Sequence, residues 1–307
     1  MTPEGESTEP LLALDRARID VGGAIGAPES ARGGARRLAL VGRFRPLFRL
    51  LARHATLASG SARVLGTDAR SAVRDGIVGL ALCDPPLPAE WTLVRYLFES
   101  ARLAGARARD ARRDAEAAIE RFELRASAPR RLADLPPAVR RIALLAHATL
   151  RAPPVVCAET PLADLDPGSQ VYVAAALERV AGAHRLVVSL ATTAGAERAF
   201  VEQADWVIVS EGERIVSEGP PPQALARGTR YAATVTRSAD PFREALAARG
   251  VTFAPSTVSP ALLSLVTAEG AEPCRLLLEL PQGVGPEDVV VMAHQAGSPL
   301  VELVLIP

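Results

Sequence analysis

The sequence predicts an α/β fold with a buried, mostly parallel sheet, followed by a small α+β domain. Three observations carry that expectation. Short apolar runs at Arg37–Val41, Ile77–Leu82, Val155–Ala158 and Arg185–Leu190 alternate with amphipathic stretches, as strands covered on both faces do with their crossover helices. Gly42 follows the first run and Glu159-Thr160 the third, at the carboxyl ends where open α/β sheets hold their chemistry. From about residue 228 the pattern becomes strand (Tyr231–Thr236), helix (Pro241–Arg249), short strand (Val251–Phe253), strand (Arg275–Leu280), helix (Pro286–Gln295) and strand (Leu300–Leu305), an order of ferredoxin-like type.

The intervening elements follow in order. Residues 1–10 read as a disordered leader, Leu11–Val21 as a first strand and Gly22–Gly34, rich in Gly, Ala and Ser, as a loop. Helices are expected over Pro46–His54, Thr92–Leu103, Ala106–Phe122, Val171–Val180 and Ala194–Gln203. The alternating Arg and Asp/Glu of the third of these mark a solvated face. Asp205–Ser210 and Glu213–Gly219 read as a hairpin. These elements divide the chain into a leader (1–10), a large domain (11–227, with a helical part at about 85–150) and a small domain (228–307).

Composition narrows the function. Hydrophobic residues make up 49% of the 307 and charged residues 23%, enough for a sizeable core. The formal net charge is zero, so no bulk electrostatic pull toward nucleic acid or anionic lipid is expected. All 35 basic residues are Arg, and a phosphate-binding loop of the usual kind needs a Lys. Cys83, Cys157 and Cys274 are far apart and odd in number, which predicts a reducing compartment without a disulfide framework, Cys157 being a core residue. His54, His147, His184 and His294 show no ligand spacing, so no metal site is predicted. The start, MTPEGESTEP, lacks the apolar core of a signal peptide, and no run of 18 apolar residues predicts a membrane span.

The stretch Pro153–Ser169, PPVVCAETPLADLDPGS, resembles the Walker B and D-loop segment of ABC-transporter ATPases, in which an apolar strand leads to Asp-Glu-Pro-Thr and then Leu-Asp-Pro. Here Glu159-Thr160 replaces the Asp–Glu pair, while Leu165-Asp166-Pro167 is kept. The likeness extends in order over roughly residues 11–220. Strand 37–41, Gly42 and a Leu-rich helix stand where the family has its phosphate loop, but the connection is about four residues shorter and keeps only Gly42. Leu82-Cys83-Asp84 stands at the family's metal-contacting Gln, and Pro85–Thr92 is close to its entry into the helical subdomain. Pro136-Pro137-Ala138 replaces the Ser-Gly-Gly of the signature loop, and proline has no N–H to give a phosphate. Ala191 takes the place of the His that contacts the γ-phosphate, and the adenine-stacking aromatic has no counterpart before Phe44. The last part of the chain looks like the C-terminal extension of some bacterial exporter ATPases.

The resemblance implies a P-loop-NTPase-like cassette with a helical subdomain, in a degenerate form, and a set of weakened site positions. Gly42, Arg43, Arg45, Asp84, Glu159 and Asp166 are the candidate nucleotide-binding residues, and Glu159, Thr160 and Ala191 the degenerate catalytic ones. Thr160 has no carboxylate to act as a base, a loss of about 10²–10⁴ in rate by itself. Phe44 brings bulk where a glycine would let backbone approach phosphate. Glu159 can hold Mg²⁺ or pair with a nearby Arg. Arg43, Arg45 and Arg49 can stand in for the missing Lys or lie on a helix surface, and Asp166 can serve a dimer interface or cap a helix. The expected role is a hydrolysis-inactive subunit, cytoplasmic and peripheral on the inner face of the membrane. It would dock on a permease through about residues 85–125 and pair with itself or with a competent ATPase domain, and it would not bind nucleic acid. Two other readings stand beside it: an active transport ATPase with rebuilt motifs, and a sensor that binds ATP without cleaving it. No cofactor is assigned; Mg-ATP, which the resemblance implies, would be weakly held.

Overall fold

The structure, a computed structural model, describes residues 9–19, 23–24, 35–192, 195–211, 214–225, 230–236, 239–256, 273–281 and 284–306. The chain divides into two compact units, Met1–Pro221 and Pro222–Pro307. The first runs β1 (Leu12–Ile19), β2 (Gly23–Ala24), β3 (Arg37–Val41), α1 (Arg45–Leu51), β4 (Leu57–Val64), β5 (Thr67–Asp68), α2 (Ala69–Ala72) and β6 (Val78–Ala81). It continues with α3 (Leu93–Leu103), α4 (Ala108–Arg121), α5 (Pro137–Ala148), β7 (Val155–Ala158), α6 (Pro167–Ala181), β8 (Arg185–Leu190), α7 (Gly195–Glu202), β9 (Trp206–Glu211) and β10 (Arg214–Gly219). A short turn of helix, α8 (Pro221–Ala224), falls at the boundary.

Six strands form the central sheet in the order β10-β9-β3-β8-β7-β6. All neighbours are parallel except the β9–β10 hairpin. β7 is buried at every residue and β3 at all but its first, so apolar side chains fill both faces and the strands read as unbroken apolar runs. Register is fixed at the amino end of β3, where the Asp205 carboxylate accepts the N–H groups of Arg36 and Arg37, each at 2.8 Å. The Arg37 guanidinium also bridges to Glu178 of α6 at 2.7 Å. Cys157 lies in the core, where burial pushes its thiol pKa up to about 12.

A second, antiparallel sheet, β2-β1-β4-β5, covers α1. Leu12 and Leu14 of β1 share one core with Leu47, Phe48 and Leu51 of α1 and with Leu38, Val155 and Ile208 of the central sheet. The sequence reading expected β1 but not the sheet it belongs to. Of the expected leader only residues 9–10 are described, and of the expected 22–34 loop only Gly23 and Ala24; the rest of both lies outside the described residues. Gly23 and Ala24 pair with β1 rather than forming loop. α1 ends at Leu51 instead of His54, since Arg53 turns to φ 61. α6 starts at Pro167, four residues before the expected Val171, because Asp166 caps it and Pro167 suits a first helical turn.

The helical part is built on three helices. Thr92 caps α3, which buries Leu93, Tyr96, Leu97 and Ala101 at helical spacing. α4 buries Ala111, Ala115, Ala118 and Ile119 and turns its charged residues outward. α5 starts with Pro136 at the cap and Pro137 in the first turn. Its far end lies tight against β6, where a Cβ on Gly79 would sit 1.7 Å from the Ala148 carbonyl oxygen, so only glycine fits. Tyr96 and His147 join α3 to α5 through a 3.0 Å hydrogen bond between the Tyr96 hydroxyl and His147 Nδ1.

In the second unit β11 (Arg230–Val235), α9 (Asp240–Ala248), β12 (Thr252–Ser256), β13 (Cys274–Glu279), α10 (Pro286–Gln295) and β14 (Leu300–Ile306) form an antiparallel sheet in the order β12-β13-β11-β14. That is the strand order of a split β-α-β pair. Phe242, Leu246, Val289 and Met292 of the helices pack on Leu276 and Leu278 of the sheet. Among the described residues no helix is long and apolar enough to cross a membrane.

The burial of His147 makes stability depend on pH. Burial pushes the His147 pKa down to about 4 from 6.5. The unfolded chain takes up a proton near pH 6.5 that the folded chain refuses until about pH 4, so stability is full above 6.5 and falls as the pH drops through this window. The loss by pH 4 is at most about 3 kcal/mol. Urea titrations at pH 7.5 and pH 4.5 should show it, and the difference should shrink in a Tyr96→Phe, His147→Phe double variant.

Candidate functional site

The carboxyl ends of β3, β6, β7 and β8 meet at one edge of the central sheet. There the structure gathers six of the candidate residues: Gly42, Arg43, Arg45, Glu159, Thr160 and Ala191. The turn from β3 to α1 is only Gly42-Arg43-Phe44. Gly42 has φ +107 and lies so close to β9 that a Cβ would meet the Ser210 carbonyl oxygen at 2.4 Å, so the position requires glycine.

All three N–H groups of this turn are already bonded. Gly42 donates to the Leu190 carbonyl of β8 at 2.9 Å, Arg43 to Ser210 Oγ at 2.9 Å, and Phe44 to the Gly42 carbonyl at 3.1 Å. A phosphate cradle aims such donors at its ligand; here two of them bind the neighbouring strands and the third bonds within the turn. Pro46, in the first turn of α1, has no N–H to add. The expectation that Phe44 projects bulk toward a ligand is corrected: its ring is buried in the core beneath the turn. The Arg43, Arg45 and Arg49 side chains are exposed.

Glu159 is buried, and both of its oxygens are engaged. Oε2 accepts the Cys83 N–H at 3.1 Å, and Oε1 lies 3.7 Å from Arg45 Nε. The expected pairing with an Arg is present, to Arg45. The Arg45 side chain is 75% exposed, so the ion pair is loose and contributes little to stability. Thr160 has φ 35, a left-handed conformation unfavourable for a β-branched residue, at a cost of about 1–3 kcal/mol. Its N–H, bonded to Ser189 Oγ at 2.9 Å, and its carbonyl, which accepts from Ala163 at 3.1 Å, hold it there.

At the end of β8 the amide of Ala191 donates to Glu197 Oε1 at 3.4 Å, while Thr192 gives Glu197 Oε2 its N–H at 2.7 Å and its hydroxyl at 3.2 Å. Glu197 is buried and takes the amide of Ala191, the position where the resemblance places a phosphate-contacting His. Asp84 follows Cys83 at the rim and is exposed. Asp166 does not join the cluster. It caps α6, accepting the Ser169 N–H at 3.0 Å and the Ser169 hydroxyl at 2.5 Å, and the hydroxyl first and then the amide hold its carboxyl below the usual range. Among the described residues no group of three His, Cys, Asp or Glu is placed to hold a metal ion.

The sequence reading missed Ser189, Ser210 and Glu197, the groups that occupy the site from within. Each acts on a residue of another element or across a turn. The only sequence signal was a hydroxyl at the end of an apolar strand. Glu197→Ala removes an acceptor of the Thr192 N–H and hydroxyl and, because Thr192 is exposed and water can replace the bond, should cost only about 0.5–1.5 kcal/mol. Glu197→Gln, which keeps a carbonyl acceptor, should cost less, and urea unfolding of the two variants will rank them.

No family model and no curated protein matches the sequence. Solved structures do match. CbiO1 from Clostridium perfringens, part of the ABC transporter complex cbiONQ, aligns over 71% of this chain and 91% of its own at 14% identity and a TM-score of 0.59. MJ1267 in its ADP conformation, an ATP-binding cassette of an ABC transporter, aligns over 71% and 94% at 13% identity and a TM-score of 0.58. A nucleotide-free ATP-binding cassette from an ABC transporter aligns over 69% and 91% at 12% identity and a TM-score of 0.56. With the central sheet, the covering antiparallel sheet and the helical part arranged as above, the chain has the P-loop-NTPase-like α/β fold of an ABC-transporter ATP-binding cassette.

Proposed function

We propose that this protein is a degenerate ABC-transporter ATP-binding subunit that does not hydrolyse ATP and serves as a structural or regulatory partner. The observation that carries this reading is the bonding of the Gly42, Arg43 and Phe44 amides to Leu190, Ser210 and Gly42 itself. Phosphoryl transfer depends on positioning and charge neutralisation by a phosphate cradle, a cation and a water-orienting group. The cradle donors are spent, the chain has no Lys, Thr160 offers no carboxylate, and Glu197 holds the amide of Ala191. The structural neighbours are named as cassettes and subunits of ABC transporters, which supports a membrane permease as partner and a place on the cytoplasmic face of the membrane. Docking would use about residues 85–125, and pairing would be with a second copy or with a competent cassette.

One observation favours the rebuilt-ATPase alternative: Arg45 lies within 3.7 Å of Glu159, so a cation and a carboxylate do meet at the site. Phosphate release from Mg-ATP, by the protein alone and with its permease, separates the two. The degenerate reading expects release at the background rate and no saturable heat on calorimetric titration with ATP. Turnover by the isolated protein that disappears in Glu159→Ala would overturn it in favour of the alternative. Saturable ATP binding without release would instead make the protein a nucleotide sensor.

A further inference from the structure

The helices α9 and α10 pack on one face of the second unit's sheet, against Ala233, Val235, Leu276 and Leu278. Side chains alternate along a strand, so the intervening residues stand on the opposite face. The register sets them in rows that run across β12, β13, β11 and β14. One row is Ala254, Leu277, Ala232 and Val304, and beside it lie Thr252, Glu279 and Arg230. On the other side of the apolar row come Arg275, Thr234 and Glu302, which are tied together. Glu302 accepts the Thr234 hydroxyl at 3.0 Å and lies 3.6 Å from Arg275. Leu277 is 39% and Val304 44% exposed, and Ala254, Thr252, Glu279 and Arg230 are exposed as well.

The pattern on this face is complementary to itself. A two-fold axis that runs parallel to the strands, midway between β13 and β11, sets β13 of one copy on β11 of the other and β12 on β14. Each row then meets itself in reverse order. Val304 falls over the partner's Ala254, and Leu277 over the row's lowest point, the buried Ala232, so each large apolar side chain meets a small one. Glu279 falls over the partner's Arg230, and by symmetry Arg230 over the partner's Glu279, which places two ion pairs along the rim. Facing sheets pack about 10 Å apart with strands within about 30°, a rotation that Glu and Arg side chains can span. An axis across the strands would instead stack Leu277 on Leu277 and set Arg230 on Thr234. The rows hold two Arg and two Glu, so no net charge draws a nucleic acid or an anionic lipid to them.

We propose that two copies of this chain associate face to face through this sheet, with Leu277 and Val304 at the centre and Glu279 paired with the partner's Arg230. The contact uses the second unit alone and needs no nucleotide, so it stands whether or not the first unit pairs as a cassette. Four strands about 4.8 Å apart make a face roughly 20 Å across. Two copies therefore bury less than the about 1,200 Å² of a standard interface, and the association is weak and reversible.

Sedimentation equilibrium of the full chain without nucleotide, from about 5 to 500 µM at low salt, should show monomer and dimer in exchange. Leu277→Asp should abolish the dimer. Glu279→Arg and Arg230→Glu each set like charges against one another across the two-fold axis and should weaken dimerisation by at least about tenfold. An equimolar mixture of these two variants brings opposite charges together again at both positions and should dimerise about as strongly as the parent. Mixing leaves the neighbours within each chain unchanged, so its recovery reports on the contact between copies alone. All three variants alter exposed side chains, and unchanged melting curves will show that they fold. A chain that stays monomeric over this range, or a mixture no tighter than its components, would overturn the proposal. So would a dimer indifferent to Leu277→Asp, which would leave the pairing of cassettes standing.

Discussion

The feature on which the rest of the site depends is the tie between the end of β3 and the strands on either side of it. β3 sits between β8 and β9, and its pairing does not stop where the strand does. Gly42 extends the ladder to Leu190 of β8, and the next amide, that of Arg43, reaches Ser210 of β9. A turn bound on both sides has little freedom to curl around a ligand. Its three residues deliver the chain directly into α1, whose buried face of Leu47, Phe48, Leu50 and Leu51 anchors it from below. The core holds the corner in place, while Leu190, Ser210 and Gly42 take up its amide donors.

The neighbouring strand ends are closed in the same way. Glu159 is a buried carboxylate, and such a group needs partners; the Cys83 amide and the Arg45 guanidinium provide them. Thr160 keeps a strained backbone at the adjacent position, held by Ser189, although its side chain brings no charge. Glu197 reaches back to the amides of Ala191 and Thr192. These contacts satisfy the buried polar groups of the edge, Glu159, Ser189 and Glu197, from within the chain. The architecture is that of an ATP-binding cassette, and its ligand-facing polar groups are directed toward one another.

The sequence made the parallel strands legible because burial on both faces leaves an unbroken apolar run, as in Val155–Ala158 and Arg185–Leu190. The antiparallel cover was harder to read. β1 was expected, but its partner β4 has exposed Ala58, Ser59 and Gly60 in its first half and so lacks the two-residue alternation that would have marked a half-buried strand. The early start of α6 was written in Asp166-Pro167 and was within reach of capping rules. Of the site, the composition of each strand end was visible: Gly42, Glu159, Thr160 and Ala191 stand together as the spacing implied. What occupies the site was not. Ser210 meets Arg43 from 167 residues away, and the direction of the Phe44 ring depends on a core assembled from several elements.

The central claim is that the amides of the 42–44 turn are unavailable to a nucleotide. Their NMR resonances report on this directly. In a deuterated, ¹⁵N-labelled sample, addition of Mg-ATP should leave the Gly42, Arg43 and Phe44 amide shifts and their exchange with solvent unchanged. A saturable shift of these three resonances with ATP, absent with adenosine, would show that the turn opens to hold phosphate and would contradict the account.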